Sequence, residues 1–159
     1  MKEYKTHSYE ETVKLGERVA KSLPKGSVVA FLGGLGMGKT AFTTGFAKGL
    51  GIDVDVSSPT FAICNTYIGE ENTLYHFDMY RVDGWDDLYS TGFFDFLETD
   101  AYMAIEWSEN VYGALPDDTL MIEIERIGEN ERLFKMYKKS EEEECFYLLT
   151  LRRLRHLLP

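Results

Sequence analysis

FLGGLGMGKT, residues 31–40, sets Gly33, Gly34, Gly36 and Gly38 within six positions and closes on a lysine and a threonine. Glycine loses more conformational freedom on folding than any other residue, so such a cluster marks backbone that other residues follow poorly. Residues 27–32 ahead of it are apolar and β-branched, like a strand buried on both faces of a parallel sheet. Residues 39–50 behind it read as a helix, with Gly49 and Gly51 near its C-terminal end. Gly33-x-x-x-x-Gly38-Lys39-Thr40 therefore fulfils the P-loop pattern between a strand and a helix. In such a loop the backbone of Gly33, Gly34, Gly36, Met37, Gly38, Lys39, Thr40 and Ala41 wraps phosphate oxygens, aided by the helix N-terminus. Lys39 would reach the β- and γ-phosphates and the Thr40 hydroxyl a Mg2+ ion.

Working outward, Ser8 begins a helix over residues 8–23, with Glu11 at capping-box spacing. Residues 61–68 and 74–81 read as a hairpin joined by a turn at 69–72, and residues 86–88 and 92–97 as short further elements. Residues 101–105 form an apolar strand that runs into Glu106. Residues 120–127 and 132–137 form two more strands around a turn at 128–131. The expected fold is a three-layer α/β P-loop nucleoside triphosphatase. Its central sheet is mostly parallel, with antiparallel additions from the hairpin and the C-terminal strands.

Phosphoryl transfer needs a carboxylate near the metal and a group that orients the nucleophile. Glu106, at a strand end, stands where a Walker-B acid belongs. Asp78, in YHFDMYR, is the second candidate. The ordinary alternatives are a solvated strand end for Glu106, and a turn or salt-bridge residue beside Arg81 for Asp78. Thr60, after Pro59, is either a switch residue that senses the γ-phosphate or a turn cap. Trp107 reads as a packing residue and His76 as a strand histidine lacking a partner. No Asn-Lys-x-Asp or Thr-Lys-x-Asp guanine reader is present, and His7, His76 and His156 are too scattered for a metal cluster.

The chain has 159 residues, 44% hydrophobic and 14% aromatic, enough for one domain with a full core. Its net charge of −10 argues against a broad nucleic-acid-binding face, which needs clustered Lys and Arg. Cys64 and Cys145 form neither a disulfide framework nor a C-x-x-C pair. The polar N-terminus and the lack of any apolar run near ~18 residues predict no signal peptide and no membrane span. A reducing cytoplasm is the default setting.

GGLGMGKTAFTTGFAKGLG, SSPTFAICNTY, LYHFDMYRV and AIEWSEN, taken in order, resemble the consecutive motifs of the TsaE (YjeE) family over residues 4–137. That resemblance implies a cytoplasmic ATPase using ATP and Mg2+. Its partners would be TsaB and TsaD, which transfer threonylcarbamoyl to adenosine 37 of tRNAs reading codons that start with A. The family member supports turnover of that pair and touches tRNA only through it. The resemblance matches Lys39 and Thr40 to phosphate and Mg2+ binding, and Glu106 to the Mg2+ glutamate. It also matches Asp78 to the essential strand aspartate, Thr60 to the switch threonine and Trp107 to the tryptophan beside the acid. The adenine is expected between Ser8 and Arg132.

No arginine finger is identifiable, so hydrolysis by the chain alone should be slow. The alternatives are a small-molecule P-loop kinase and a non-hydrolysing ATP switch. Residues 1–137 form the expected ATPase domain, and 138–159 an extension that inherits nothing from the resemblance. The extension reads as a helix packed on the same domain, with Leu148, Leu151, Leu154 and Leu158 on one stripe, while residues 145–151 fit a strand equally well by composition. A homo-oligomer contact or a lineage-specific addition are its other readings.

Overall fold

A computed structural model describes residues 1–142. Seven strands form one sheet in the order β1-β7-β6-β2-β5-β4-β3. They are β1 (Lys2–Thr6), β2 (Val28–Leu32), β3 (Cys64–Ile68), β4 (Thr73–Asp78), β5 (Tyr102–Glu106), β6 (Leu120–Arg126) and β7 (Arg132–Lys138). The inner strands β6, β2, β5 and β4 run parallel to one another. At one edge β3 pairs antiparallel with β4; at the other β7 pairs antiparallel with β6, and β1 with β7. The parallel core with antiparallel flanks matches the expectation from the sequence.

Period-two side-chain alternation divides the core in two. Helices α1 (Tyr9–Ser22) and α2 (Lys39–Gly49) cover one face, against Val29, Phe31, Leu74, Ala104, Ile122 and Phe134. On the other face, α3 (Trp85–Ser90), α4 (Phe93–Leu97) and a 3-10 segment, Ser108–Ala114, pack on Ala30, Phe77, Met103, Ile105 and Met121.

Helices α1 and α2 touch backbone to backbone because glycines line their contact. A Cβ at Gly45 would lie 1.8 Å from the Val13 carbonyl oxygen, one at Gly16 2.1 Å from that of Phe42, and one at Gly49 2.5 Å from that of Glu17. Phe42 and Phe46 of α2 are buried in the sheet-facing core. This helix is therefore filled on one side by large side chains and stripped to backbone on the other.

Ser8 caps α1, its Oγ accepting the Glu11 N–H at 3.1 Å. The Glu11 carboxylate turns back to the His7 N–H at 2.7 Å, one residue before the position a regular capping box would use. Ser8→Ala should cost about 1 kcal/mol, or roughly 2–4 °C in a thermal melt.

Several elements differ from the sequence reading. β1 is absent from that reading altogether. The hairpin's first strand starts at Cys64 instead of residue 61 because the chain turns at Pro59, whose carbonyl accepts the Ile63 N–H at 2.8 Å. β4 ends at Asp78, not at 81, because Asp78 Oδ1 accepts the Tyr80 N–H at 2.9 Å and bends the chain away. β7 runs to Lys138, one residue past the expected boundary, and a 3-10 turn, Lys139–Glu141, follows. The helix expected over the leucine stripe of the extension lies outside the described residues.

Candidate functional site

The glycine loop joins the C-terminal end of β2 to α2. Gly33 (φ 134°) and Gly38 (φ 109°) occupy backbone conformations that L side chains rarely adopt. The loop can therefore reverse tightly enough to present its own carbonyls to Lys39. The Lys39 ammonium donates to the Gly33 carbonyl at 3.0 Å and the Gly34 carbonyl at 2.7 Å. It also lies 5.3 Å from the Trp107 ring centroid, within cation–π range. Lys39 is only 6% exposed, yet no carboxylate pairs with it among the described residues. Carbonyl dipoles and a π face thus surround this buried cation without an opposite formal charge to neutralise it. Thr40, in the first turn of α2, is exposed.

The acids arrive from the neighbouring strands. Asp78 and Glu106 are register partners at the C-terminal ends of β4 and β5, and both are buried. The backbone ties these ends together: Met79 N–H donates to the Glu106 carbonyl at 3.0 Å, and Asp78 N–H to the Ile63 carbonyl at 2.8 Å. His76 also belongs to this group. Its Nε2 lies 2.8 Å from Glu106 Oε1, and both side chains are almost fully enclosed. A carboxylate accepts, so Nε2 carries the proton and donates. His76 Nδ1 is buried with no hydrogen-bond partner. The sequence alone leaves His76 without a partner. Its spacing of two residues from Asp78 is the available signal, because positions i and i+2 of a strand share a face.

Among the described residues, two non-glycine residues have left-handed backbone, Ile63 (φ 65°) and Trp107 (φ 56°). Strain of this kind persists where surrounding structure enforces it, and it gathers at functional sites. Here one strained residue supplies the carbonyl that holds Asp78 and the other directly follows Glu106. Trp107 also packs on Tyr80, with ring centroids 4.9 Å apart. It thus faces the Lys39 ammonium as well as serving as a packing residue.

Thr60 Oγ1 pairs with Ser58 Oγ at 3.0 Å. Beside it, the Arg81 guanidinium stacks 5.0 Å from the ring of Phe61, which is 86% exposed. Arg132 Nε donates to the Met37 carbonyl at 3.0 Å, and its Nη1 reaches the Glu131 carbonyl at 3.0 Å. Arg132 therefore pins the glycine loop to the start of β7. Thr6 and Arg132 are register partners, and His7 Nδ1 lies 2.8 Å from Glu131 Oε1. Ser8 and Arg132 accordingly flank the same rim of the loop. Cys64 stands apart from this chemistry: burial pushes its thiol up to about 11, so it stays protonated.

The family model for "Threonylcarbamoyl adenosine biosynthesis protein TsaE" matches residues 6–134. The tRNA threonylcarbamoyladenosine biosynthesis protein TsaE of Treponema pallidum is 36% identical over 127 residues, 80% of this chain and 93% of that protein. The protein of the same description from Aquifex aeolicus is 37% identical over 141 residues, 87% of this chain and 98% of that one. Among solved structures, Bacillus subtilis YdiB matches with a TM-score of 0.70 at 30% identity, covering 99% of this chain and 96% of that chain.

Proposed function

The chain belongs to the TsaE family of threonylcarbamoyl adenosine biosynthesis proteins, and from that premise we propose that it binds and hydrolyses ATP with Mg2+ to sustain the TsaB–TsaD transferase acting on tRNA. The observation that carries this reading is the buried Lys39 ammonium. It sits within a left-handed glycine loop at a helix start and has no carboxylate partner among the described residues. Phosphate oxygens would take over from the Gly33 and Gly34 carbonyls as its acceptors, with the N–H groups of residues 33–41 around them.

The residues fit a magnesium nucleotide. Mg2+ characteristically keeps several waters and takes one or two carboxylates besides phosphate oxygens. No group of three or more His, Cys, Asp or Glu that could hold a metal ion occurs among the described residues. The Thr40 hydroxyl and the Glu106 carboxylate, directly or through water, would hold the ion, and Asp78 or Glu106 would orient the attacking water. When bound, the metal neutralises charge on the transferring phosphoryl group. Ser8 and Arg132 are the proposed adenine-side rim, and Thr60 the γ-phosphate-sensing switch.

A kinase reading lacks support here. Between Glu106 and β6 the chain forms the 3-10 segment Ser108–Ala114, and residues 107–119 contain no arginine or lysine to serve a phosphoryl-gripping lid. The acidic chain is suited to basic partner surfaces, so contact with tRNA would run through TsaB and TsaD, in the cytoplasm. Among the described residues no helix is long and apolar enough to cross a membrane.

ATP hydrolysis and multiple-turnover tRNA modification, measured with and without TsaB and TsaD, test the proposal. Partners should raise hydrolysis. Glu106→Gln should keep ATP binding in EDTA while lowering stimulated hydrolysis by at least about 100-fold. Full tRNA modification by Glu106→Gln would instead leave a non-hydrolysing switch, and a phosphorylated small-molecule product would restore the kinase.

A further inference from the structure

We propose that His76 is the positioning residue for Glu106, holding one carboxylate oxygen so that the other is left for the nucleotide's metal; this rests on the Mg2+ reading above. Glu106 stands at the end of β5, register partner of Asp78, whereas His76 lies one step deeper in the sheet, opposite Ala104. The Nε2–Oε1 bond of 2.8 Å therefore runs backwards from the sheet end into its interior. It anchors a long, otherwise rotatable side chain from beneath.

A histidine kept only for packing would be replaced at no loss by an apolar residue. This one is 0% exposed and leaves Nδ1 without a partner, a cost that burial imposes on any polar atom. The hydrogen bond its side chain does make goes to Glu106. The ring is kept in place by sheet packing and by Tyr67, whose centroid lies 6.4 Å away at a tilt of 37°. The Tyr67 hydroxyl in turn donates to the Ser57 carbonyl at 3.2 Å, in the loop that carries Thr60. The histidine thus stands between the strand-end acid and the clamp on that loop.

The test compares His76→Met, which fills the space without a donor, with His76→Gln, which keeps a side-chain N–H. The affinity of a fluorescent ATP analogue is titrated in EDTA and across a Mg2+ series. Glu106→Gln is measured alongside, as is the double variant that combines His76→Met with Glu106→Gln. His76→Met should raise the Mg2+ concentration needed for half-maximal effect by about 10–100-fold, with metal-free affinity changing far less. His76→Gln should recover most of that loss. In the Glu106→Gln background, His76→Met should add no further loss, because it acts through Glu106 alone.

An equal loss of affinity in EDTA and in Mg2+ overturns the proposal in favour of a structural role, and so does an additive double variant. An unfolded His76→Met with a His76→Gln protein that folds but loses its Mg2+ dependence also overturns it. If Glu106→Gln shifts the Mg2+ dependence and His76→Met does not, this inference alone fails. If Glu106→Gln leaves it unmoved, the metal reading fails and the inference with it.

Discussion

Lys39→Ala is expected to weaken ATP binding by at least about 100-fold, read by calorimetry, and to abolish multiple-turnover tRNA modification with TsaB and TsaD. Charge-assisted hydrogen bonds contribute about 1.5–3 kcal/mol each, and this ammonium would make them to two phosphates. The fold should survive the change. Lys39 donates to the Gly33 and Gly34 carbonyls of its own loop, and beyond the loop it contacts the ring of Trp107, a partly buried residue at the margin of the core. A melting temperature within a few degrees of the parent would separate loss of the site from loss of the structure. ATP affinity within about threefold of the parent would remove the lysine from the site and with it the argument for phosphate binding.

Gly45→Ala should be the most damaging single methyl group in the domain. Its Cβ would stand 1.8 Å from the Val13 carbonyl oxygen and 2.6 Å from the carbonyl carbon. Both obstacles are helix backbone, which has no rotamer to change. The helices must separate, and α1 must lift from a core that includes Leu15 and Ala20. A loss above about 4 kcal/mol follows, set against a total stability of roughly 5–15 kcal/mol. Gly16→Ala and Gly49→Ala should follow in that order, at 2.1 Å and 2.5 Å from their nearest carbonyl oxygens. Gly34→Ala is the control, since nothing lies within 4 Å of its Cβ position. Urea unfolding of the four variants checks the ranking.

The parts of the molecule readable from sequence are those in which one physical signal dominates. β2, the glycine loop and α2 form a single run of apolar residues, glycines and helix formers, and their order alone specifies the layout. β5 and β6 are apolar enough to locate, and Glu106 is placed by the strand it ends. β1 is hidden because KEYKT is mostly charged and exposed, as an edge strand often is, and its partner lies some 130 positions away in sequence. The truncated start of β3 is hidden because Ile63, a β-branched residue, takes a left-handed backbone that its own propensity opposes. His76 is hard to read for a different reason. A strand histidine acquires a role only through a neighbour, and Glu106 is thirty positions on. The glycines at 16, 45 and 49 look like ordinary helix weaknesses until two helices are laid against each other.

The pairing of β1 with β7 has a consequence for how the chain is made. Synthesis proceeds at about 5–20 residues per second, so the first strand to leave the ribosome waits roughly 6–26 seconds for its partner in the sheet. Until residues 132–138 emerge, Lys2–Thr6 has no ladder to join and β6 has an open edge. The same pairing carries His7 and Ser8 to the rim of the glycine loop, through Thr6 opposite Arg132. A nascent chain stalled short of Arg132 would therefore build the loop and α2 yet lack the wall that braces them. Bracing of the glycine loop is thereby timed to the arrival of β7.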